Sequence, residues 1–315
     1  MPTLKPPIIL VANARSGTTM TSQCFKMLDS QIKILREKRM IWTVGNTLHP
    51  DDRFTADMAT KRVIKKIRQT FLDLQQEHGG RQIMEKTPSN CLRIPYIRAI
   101  FPEAIIIHMI RDGRDNISSC LPFWTRPRKK KRILRRLKET PMWQWPIFIP
   151  RAVRDQIGIR MGLTKRVKSW GVIYPGMFED LQQMDLIEVI AHQWVNAVET
   201  ALEDLDQSRP EVFVEWRYEE LVADPLGHFS RFLDVAGLEM TERLATYLRD
   251  EIHTQSSGAW KKRLTAEQVS KILPIITPTM RKVGYPVDAD SADHQDEPQA
   301  GTNPESAAAV SPATT

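Results

Sequence analysis

The sequence predicts an α/β fold: a parallel β-sheet flanked by helices, in a single domain over residues 1–287. Three observations carry this. Short apolar, β-branched runs alternate along the chain with longer helical stretches. The first such run leads through a Gly-containing loop directly into a helix. The chain of 315 residues is long enough to bury one sizeable core, and it contains no internal repeat. In order, the reading gives strand 8–11, helices 18–28 and 58–78, strand 82–85, helix 90–100, strand 104–109, helix 113–120, a long helix 178–204, strand 211–215 and helix 225–236.

The loop after the first strand reads Val11-Ala12-Asn13-Ala14-Arg15-Ser16-Gly17-Thr18-Thr19. It offers backbone N–H groups at a helix N-terminus, the Arg15 guanidinium and the hydroxyls of Ser16, Thr18 and Thr19. Unpaired N–H groups and the helix dipole both favour an anion there, so the loop suits a phosphate. It is similar to a Walker A loop but lacks that pattern's first Gly and its Lys. An ordinary strand-to-helix turn, with Gly17 supplying backbone freedom, is the competing explanation.

A second half-site follows the apolar run Ala104-Ile105-Ile106-Ile107-His108-Met109-Ile110. It reads Arg111-Asp112-Gly113-Arg114-Asp115-Asn116-Ile117-Ser118-Ser119. Arg111 stands at the carboxyl end of a strand, where open α/β sheets bind ligands. Asp112 or Gly113 can cap the next helix, and Ser119 lies about two turns along it, on a path back toward the same anion. A purely structural ion-pair cluster of Arg111, Asp112, Arg114 and Asp115 explains the charges but not Ser119.

These segments resemble the sulfotransferases that use 3′-phosphoadenosine 5′-phosphosulfate (PAPS), in the branch of bacterial and tyrosylprotein-type enzymes with Arg-Ser-Gly-Thr-Thr and Lys-Thr-Pro motifs. The resemblance runs from about Ile8 to about Pro274 and implies a P-loop-like sheet. It assigns Arg15 to Thr19 to the 5′-phosphosulfate and Arg111 with Ser119 to the 3′-phosphate. Two further segments agree with it. Trp216 to Pro225 is similar to the family's RYEDLVxDP segment and puts Tyr218 near the adenine. Gly258-Ala259-Trp260-Lys261-Lys262-Arg263-Leu264-Thr265 is similar to the late loop over the nucleotide, with Trp260 suited to stacking and Lys261 to phosphate pairing.

The resemblance implies an in-line, metal-independent transfer of the sulfuryl group to an acceptor hydroxyl, releasing the desulfated nucleotide PAP. Such a reaction needs cations on the leaving oxygen and a base on the acceptor. Arg15 is the first cation. Lys86, in Glu85-Lys86-Thr87-Pro88, matches the family's Lys-Thr-Pro segment and is the second; Thr87 and Ser89 could also cap the following helix. Glu37, some twenty residues beyond the phosphate loop, stands at the place of the family's glutamate base, although a surface carboxylate paired with Arg36, Lys38 or Arg39 explains it equally well. His49 is the second choice for the base. Glu85 is the third, since strand alternation turns it away from the face of Lys86.

Composition bounds the rest. Cys24, Cys91 and Cys120 lack metal-ligand spacing and read as buried thiols of a reducing cytosol. No signal peptide or membrane-spanning run precedes the first strand, which suggests a cytoplasmic enzyme. Residues 288–315 carry six acids and no Lys or Arg, and read as a disordered acidic tail. Without them the formal charge rises from +7 to +13. Nine Arg or Lys fall within 126–138, inside a basic and aromatic insertion at 122–168. That insertion reads as a solvated basic helix, as an acceptor lid for an anionic glycan, or as a peripheral membrane contact toward a lipid-linked acceptor. Two rivals to the sulfotransferase reading remain. One is an ATP-dependent kinase of P-loop fold, which would want the missing Walker Lys. The other is a nucleic-acid-binding module on the basic insertion, which leaves the nucleotide-site segments unexplained.

Overall fold

A computed structural model describes residues 3–36, 39–125, 161, 166–207, 211–253 and 256–287. Its five strands are β1 (Ile8–Val11), β2 (Ile32–Arg36), β3 (Gln82–Lys86), β4 (Ile105–Ile110) and β5 (Phe213–Arg217). All are parallel, in the order β2-β3-β1-β4-β5. The four expected strands are present. The sequence reading missed β2, whose Ile32-Lys33-Ile34-Leu35-Arg36 interleaves basic with apolar residues as suits the edge of a sheet.

The helices are α1 (Thr18–Lys26), α2 (Arg39–Trp42), α3 (Lys61–Glu77), α4 (Ile94–Ile100), α5 (Gly113–Thr125), α6 (Met177–Gln183), α7 (Leu186–Gln207), α8 (Tyr218–Ala223), α9 (Pro225–Ala236), α10 (Glu242–Asp250), α11 (Trp260–Arg263) and α12 (Ala266–Lys282). Side chains start several of them: Thr60 accepts from Val63 N–H, Asp224 from Gly227 N–H and Thr241 from Leu244 N–H, while Thr265 and Gln268 form a reciprocal box. The expected helix 90–100 divides into a 3₁₀ turn, Pro88–Leu92, and α4, because Pro95 belongs in a first helical turn. The expected helix 178–204 divides at Met184, and Asp185 N–H is taken by the Glu188 carboxylate as α7 begins. Helix α5 continues past the expected end at 120, since the buried Trp124 and the Phe123–Trp170 stack outweigh the bond Pro122 cannot make.

Alternation along the strands builds a core on each face of the sheet. Ile9, Val11, Ile83, Ile106 and Ile110 pack on one side, and Ile8, Leu10, Met84, Ile105, Ile107 and Met109 on the other. Each fully buried Ile or Leu contributes about 1.5–3 kcal/mol. On the second face Phe25 of α1 meets Phe229 and Phe232 of α9 at 5.3 Å, which fixes α1 and hence the loop before it.

The topology brings the motifs together. From β1 the chain builds β2 and β3 on one side and then crosses to β4 and β5 on the other, so the β1/β4 boundary is the switch point where open α/β sheets leave a crevice. The loop after β1 and the loop after β4 both leave the carboxyl edge there. Lys86 ends β3 on the other flank of β1, opposite Leu10.

Candidate functional site

The loop after β1, the candidate phosphate loop, is held from beneath by a side chain the sequence reading did not single out. Asn116 of α5 donates from Nδ2 to the Ala14 carbonyl at 2.9 Å and to Ser16 Oγ at 3.0 Å, and its Oδ1 accepts from Asn13 Nδ2 at 3.1 Å. Ser16 is therefore buried and engaged, Thr18 is buried and Thr19 is exposed. Helix α1 starts at Gly17, φ 93°, with no side chain capping it, so its first N–H groups remain available to an anion. Gly17 cannot be anything larger: a Cβ there would lie 2.4 Å from Cδ2 of Tyr218. Arg15, φ 69°, is the one non-glycine residue with positive φ among those described. Strain of this kind persists only where its surroundings hold it in place.

Those surroundings centre on Arg111, which is 6% exposed at its side chain. Its Nη1 donates to the Arg15 carbonyl at 3.0 Å and its Nη2 to the Ser256 carbonyl at 2.6 Å. The guanidinium lies 4.5 Å over the Tyr218 ring, and Trp194 Nε1 donates to the Arg111 carbonyl at 3.1 Å. Its buried Nε has no hydrogen-bond partner among the described residues. A buried guanidinium with a donor left over, beside an uncapped helix start, fits an anion.

Arg15 turns toward α5: its Nε donates to Ser119 Oγ at 3.0 Å and its guanidinium lies 4.8 Å over Phe123. The two groups of residues assigned by resemblance to separate phosphates are thus in direct contact. Tyr218 is wedged between Gly17 and Arg111 and is 6% exposed, a packed position rather than an open stacking platform.

The late loop joins the same cluster. Asp115 accepts the backbone N–H of Gly258 at 2.7 Å and of Trp260 at 2.8 Å, and Arg114 stacks 4.7 Å over the Trp260 ring. Arg114 is held in turn by Asp112 at 2.7 Å, while Asp112 also caps α5 by accepting from Arg114 N–H. The structural ion-pair explanation and the anion-site explanation of this segment are therefore compatible. Burial raises the pKa of Asp115, against the pull of the Trp260 N–H, Arg111 and the Gly258 N–H. Lys261 lies one residue beyond Trp260 in α11.

At the other flank, Lys86 is buried at the end of β3. Neither Thr87 nor Ser89 caps a helix as expected. Thr87 donates to the Glu85 carboxylate and Ser89 donates to Asp52 at 2.7 Å. Glu85 is wholly buried, also takes Asn90 Nδ2 at 2.7 Å, and is pushed up in pKa by burial, so it faces the interior and not an acceptor. Asp52, unnoticed in the sequence, gathers Arg39, the fully buried Arg93, Ser89 and the Ile173 N–H. Burial alone would raise its pKa, but Arg39, Arg93 and these hydrogen bonds hold it below the usual carboxylate range. His49 sits 3.4 Å from the Asp51 carboxylate and edge-on to Phe54. Glu37, most of the 122–168 insertion and the 288–315 tail lie outside the described residues. Cys24, Cys91 and Cys120 are free and buried; burial pushes the thiols of Cys24 and Cys120 up to about 12. Among the described residues no acidic, His or Cys cluster suits a metal ion, and no helix is long and apolar enough to cross a membrane.

The missed residues share a reason. Asn13, Asp52, Asn116 and Trp194 act on partners far away in sequence, so no local pattern marks them. Asp115, four residues after Arg111, had a positional signal and was read with it as an ion pair, but its hold on the late loop was not.

Residues 6–156, which contain the phosphate loop, Lys86 and the Arg111–Ser119 segment, match the model of the Sulfotransferase family. Human (Homo sapiens) carbohydrate sulfotransferase 2 is 24% identical over 207 residues, covering 61% of this chain and 36% of that protein. The chain thus matches about a third of that relative's length. Among solved structures, the sulfotransferase domain from the curacin biosynthetic pathway aligns at TM-score 0.51 and 14% identity, over 90% of this chain and 99% of that one. Sulfotransferase STF9 from Mycobacterium avium aligns at TM-score 0.48 and 15% identity, over 90% of this chain and 78% of that one. The match to the Sulfotransferase family thus covers residues 6–156, and the chain has the P-loop-like fold, a parallel sheet flanked by helices.

Proposed function

We propose that the chain moves the sulfuryl group of PAPS to an acceptor hydroxyl. The observation that carries this reading is the convergence on Arg111. The loop after β1, the loop after β4 and the late loop meet at one buried guanidinium that still has a donor to give. The nucleotide fits these residues by charge and by donor type. Arg15, Ser16, Gly17, Thr18 and Thr19 would take the 5′-phosphosulfate, Arg111 and Ser119 the 3′-phosphate, and Tyr218, Trp260 and Lys261 the nucleoside side of the site.

In the reaction the acceptor oxygen forms a bond to sulfur while the bond from sulfur to the bridging oxygen breaks, and PAP leaves with that electron pair. The acceptor proton passes to a base, for which Glu37 is the candidate and His49 the runner-up. Lys86 and Arg15 neutralise charge on the leaving oxygen. A sulfuryl group carries less charge than a phosphoryl group, so the chain's own cations suffice for this. The relative's name makes carbohydrate hydroxyls the first acceptor class to try, and the basic insertion favours anionic or lipid-linked members of it. A cytoplasmic site of action completes the reading.

The test is transfer of ³⁵S from labelled PAPS to a panel of neutral and sulfated oligosaccharides, glycolipids and phenols. Label appearing in an acceptor supports the proposal. Transfer of γ-phosphate from ATP, with none from PAPS, favours the kinase instead.

A further inference from the structure

A carboxylate is a costly neighbour for a site that takes two phosphate groups, yet Asp115 lies 4.0 Å from Arg111 and is 1% exposed. Each of its two oxygens accepts one backbone N–H. Oδ2 accepts the Gly258 N–H at 2.7 Å and Oδ1 the Trp260 N–H at 2.8 Å. Gly258 stands at φ 72°, a left-handed turn that points two alternate N–H groups at one carboxylate. The same stretch is fastened twice more, by Arg111 Nη2 on the Ser256 carbonyl at 2.6 Å and by Arg114 over the Trp260 ring at 4.7 Å. All these fasteners come from Arg111 and the first turn of α5.

We propose that Asp115 is a positioning residue for the sulfuryl donor: it templates the 256–260 segment against α5 before the nucleotide arrives, so that Trp260 and Lys261 are presented in place. This rests on the PAPS reading of the site. Holding the segment beforehand removes the ordering cost that binding would otherwise carry. The Gly258 and Trp260 amides serve the carboxylate, which leaves contact with the nucleotide to side chains. Electrostatics and templating predict opposite signs for one variant. If Asp115 were only a negative charge near an anion site, neutralising it would tighten PAP binding. If it is the template, Asp115→Asn keeps one acceptor oxygen, turns an NH₂ toward the other amide, and loosens the segment.

The experiment measures PAP affinity by calorimetry for wild type and Asp115→Asn, with backbone hydrogen exchange over residues 256–263 in the PAP-free proteins. The expected result is about a tenfold loss of PAP affinity, the scale of one lost charge-assisted hydrogen bond, with faster exchange at Gly258 and Trp260. Unchanged or tighter binding overturns the proposal. Should the variant not fold, wild type alone decides: the Gly258 and Trp260 amides must already be protected without PAP, and exchange at open-loop rates overturns the templating. If wild type binds no PAP, the donor reading fails, whereas the exchange data still report separately on the clamp.

Discussion

Gly17→Ala is the smallest change that strikes the phosphate loop, and its cost can be built from two parts. The first is backbone: at φ 93° an L-residue is strained by roughly 1–2 kcal/mol. The second is steric. The new methyl would stand 2.4 Å from Cδ2 and 2.8 Å from Cε2 of Tyr218, with Met109 Sδ at 3.4 Å. The ring cannot simply retreat, because the Arg111 guanidinium lies 4.5 Å over it. Overpacking of this kind costs about 1–3 kcal/mol. The sum, roughly 2–5 kcal/mol, corresponds to a fall in Tm of about 4–20 °C at some 2–4 °C per kcal/mol. The two parts separate in a double-mutant cycle. In a Tyr218→Ala background the methyl has room, so only the backbone part of about 1–2 kcal/mol should remain, giving a coupling of about 1–3 kcal/mol. Equilibrium urea unfolding of the four proteins measures it. If Gly17→Ala costs the same with and without the ring, within about 0.5 kcal/mol, the wedge of Tyr218 beneath the loop is wrong.

Other outcomes follow from the same geometry. Asp52→Asn strands the fully buried Arg93 and should cost about 3–5 kcal/mol at neutral pH. Because the folded state holds the Asp52 pKa below its unfolded value, its contribution is full above the unfolded pKa and is lost as pH falls through the folded one. The gap between wild type and variant should therefore close on acidification, and urea midpoints that differ equally at pH 3 and pH 7 would contradict this assignment. Glu37→Gln should lower kcat by about 10²–10⁴-fold with PAP affinity nearly unchanged. His49→Ala should cost little, since that ring is occupied with Asp51 and Phe54; the reverse pattern in steady-state kinetics makes His49 the base. Lys86→Ala should lower kcat and also weaken PAP modestly, and a variant with normal turnover would remove Lys86 from the leaving-oxygen role.

The parts of this molecule that were legible in the sequence are those written locally. β1 and β4 announce themselves as short β-branched runs, and the two candidate anion-binding segments follow them directly, so their meeting at one sheet edge needs only parallel topology. β2 was missed because its basic residues break the apolar run at a sheet edge. The division at Met184 was missed because an apolar period of 3.6 runs through it on both sides. In the site, residue types were readable but their pairings were not. Arg15 and Ser119 were expected on different phosphates, yet they touch across 104 positions of sequence. Thr87 and Ser89 carry good capping side chains, but the buried carboxylates of Glu85 and Asp52 compete for those hydroxyls and win.

On the proposed reading, the Arg111 crossing is a site for a nucleotide bearing both a 5′- and a 3′-phosphate. Calorimetry of the full chain with PAP, 5′-AMP and ATP tests it most directly, without Mg²⁺ and then with it. PAP should bind without Mg²⁺, and at least tenfold tighter than 5′-AMP, since an added phosphate pairing with a buried guanidinium contributes about 1.5–3 kcal/mol. Arg111→Ala should erase most of that preference. ATP binding that requires Mg²⁺, with PAP no tighter than 5′-AMP, would contradict it.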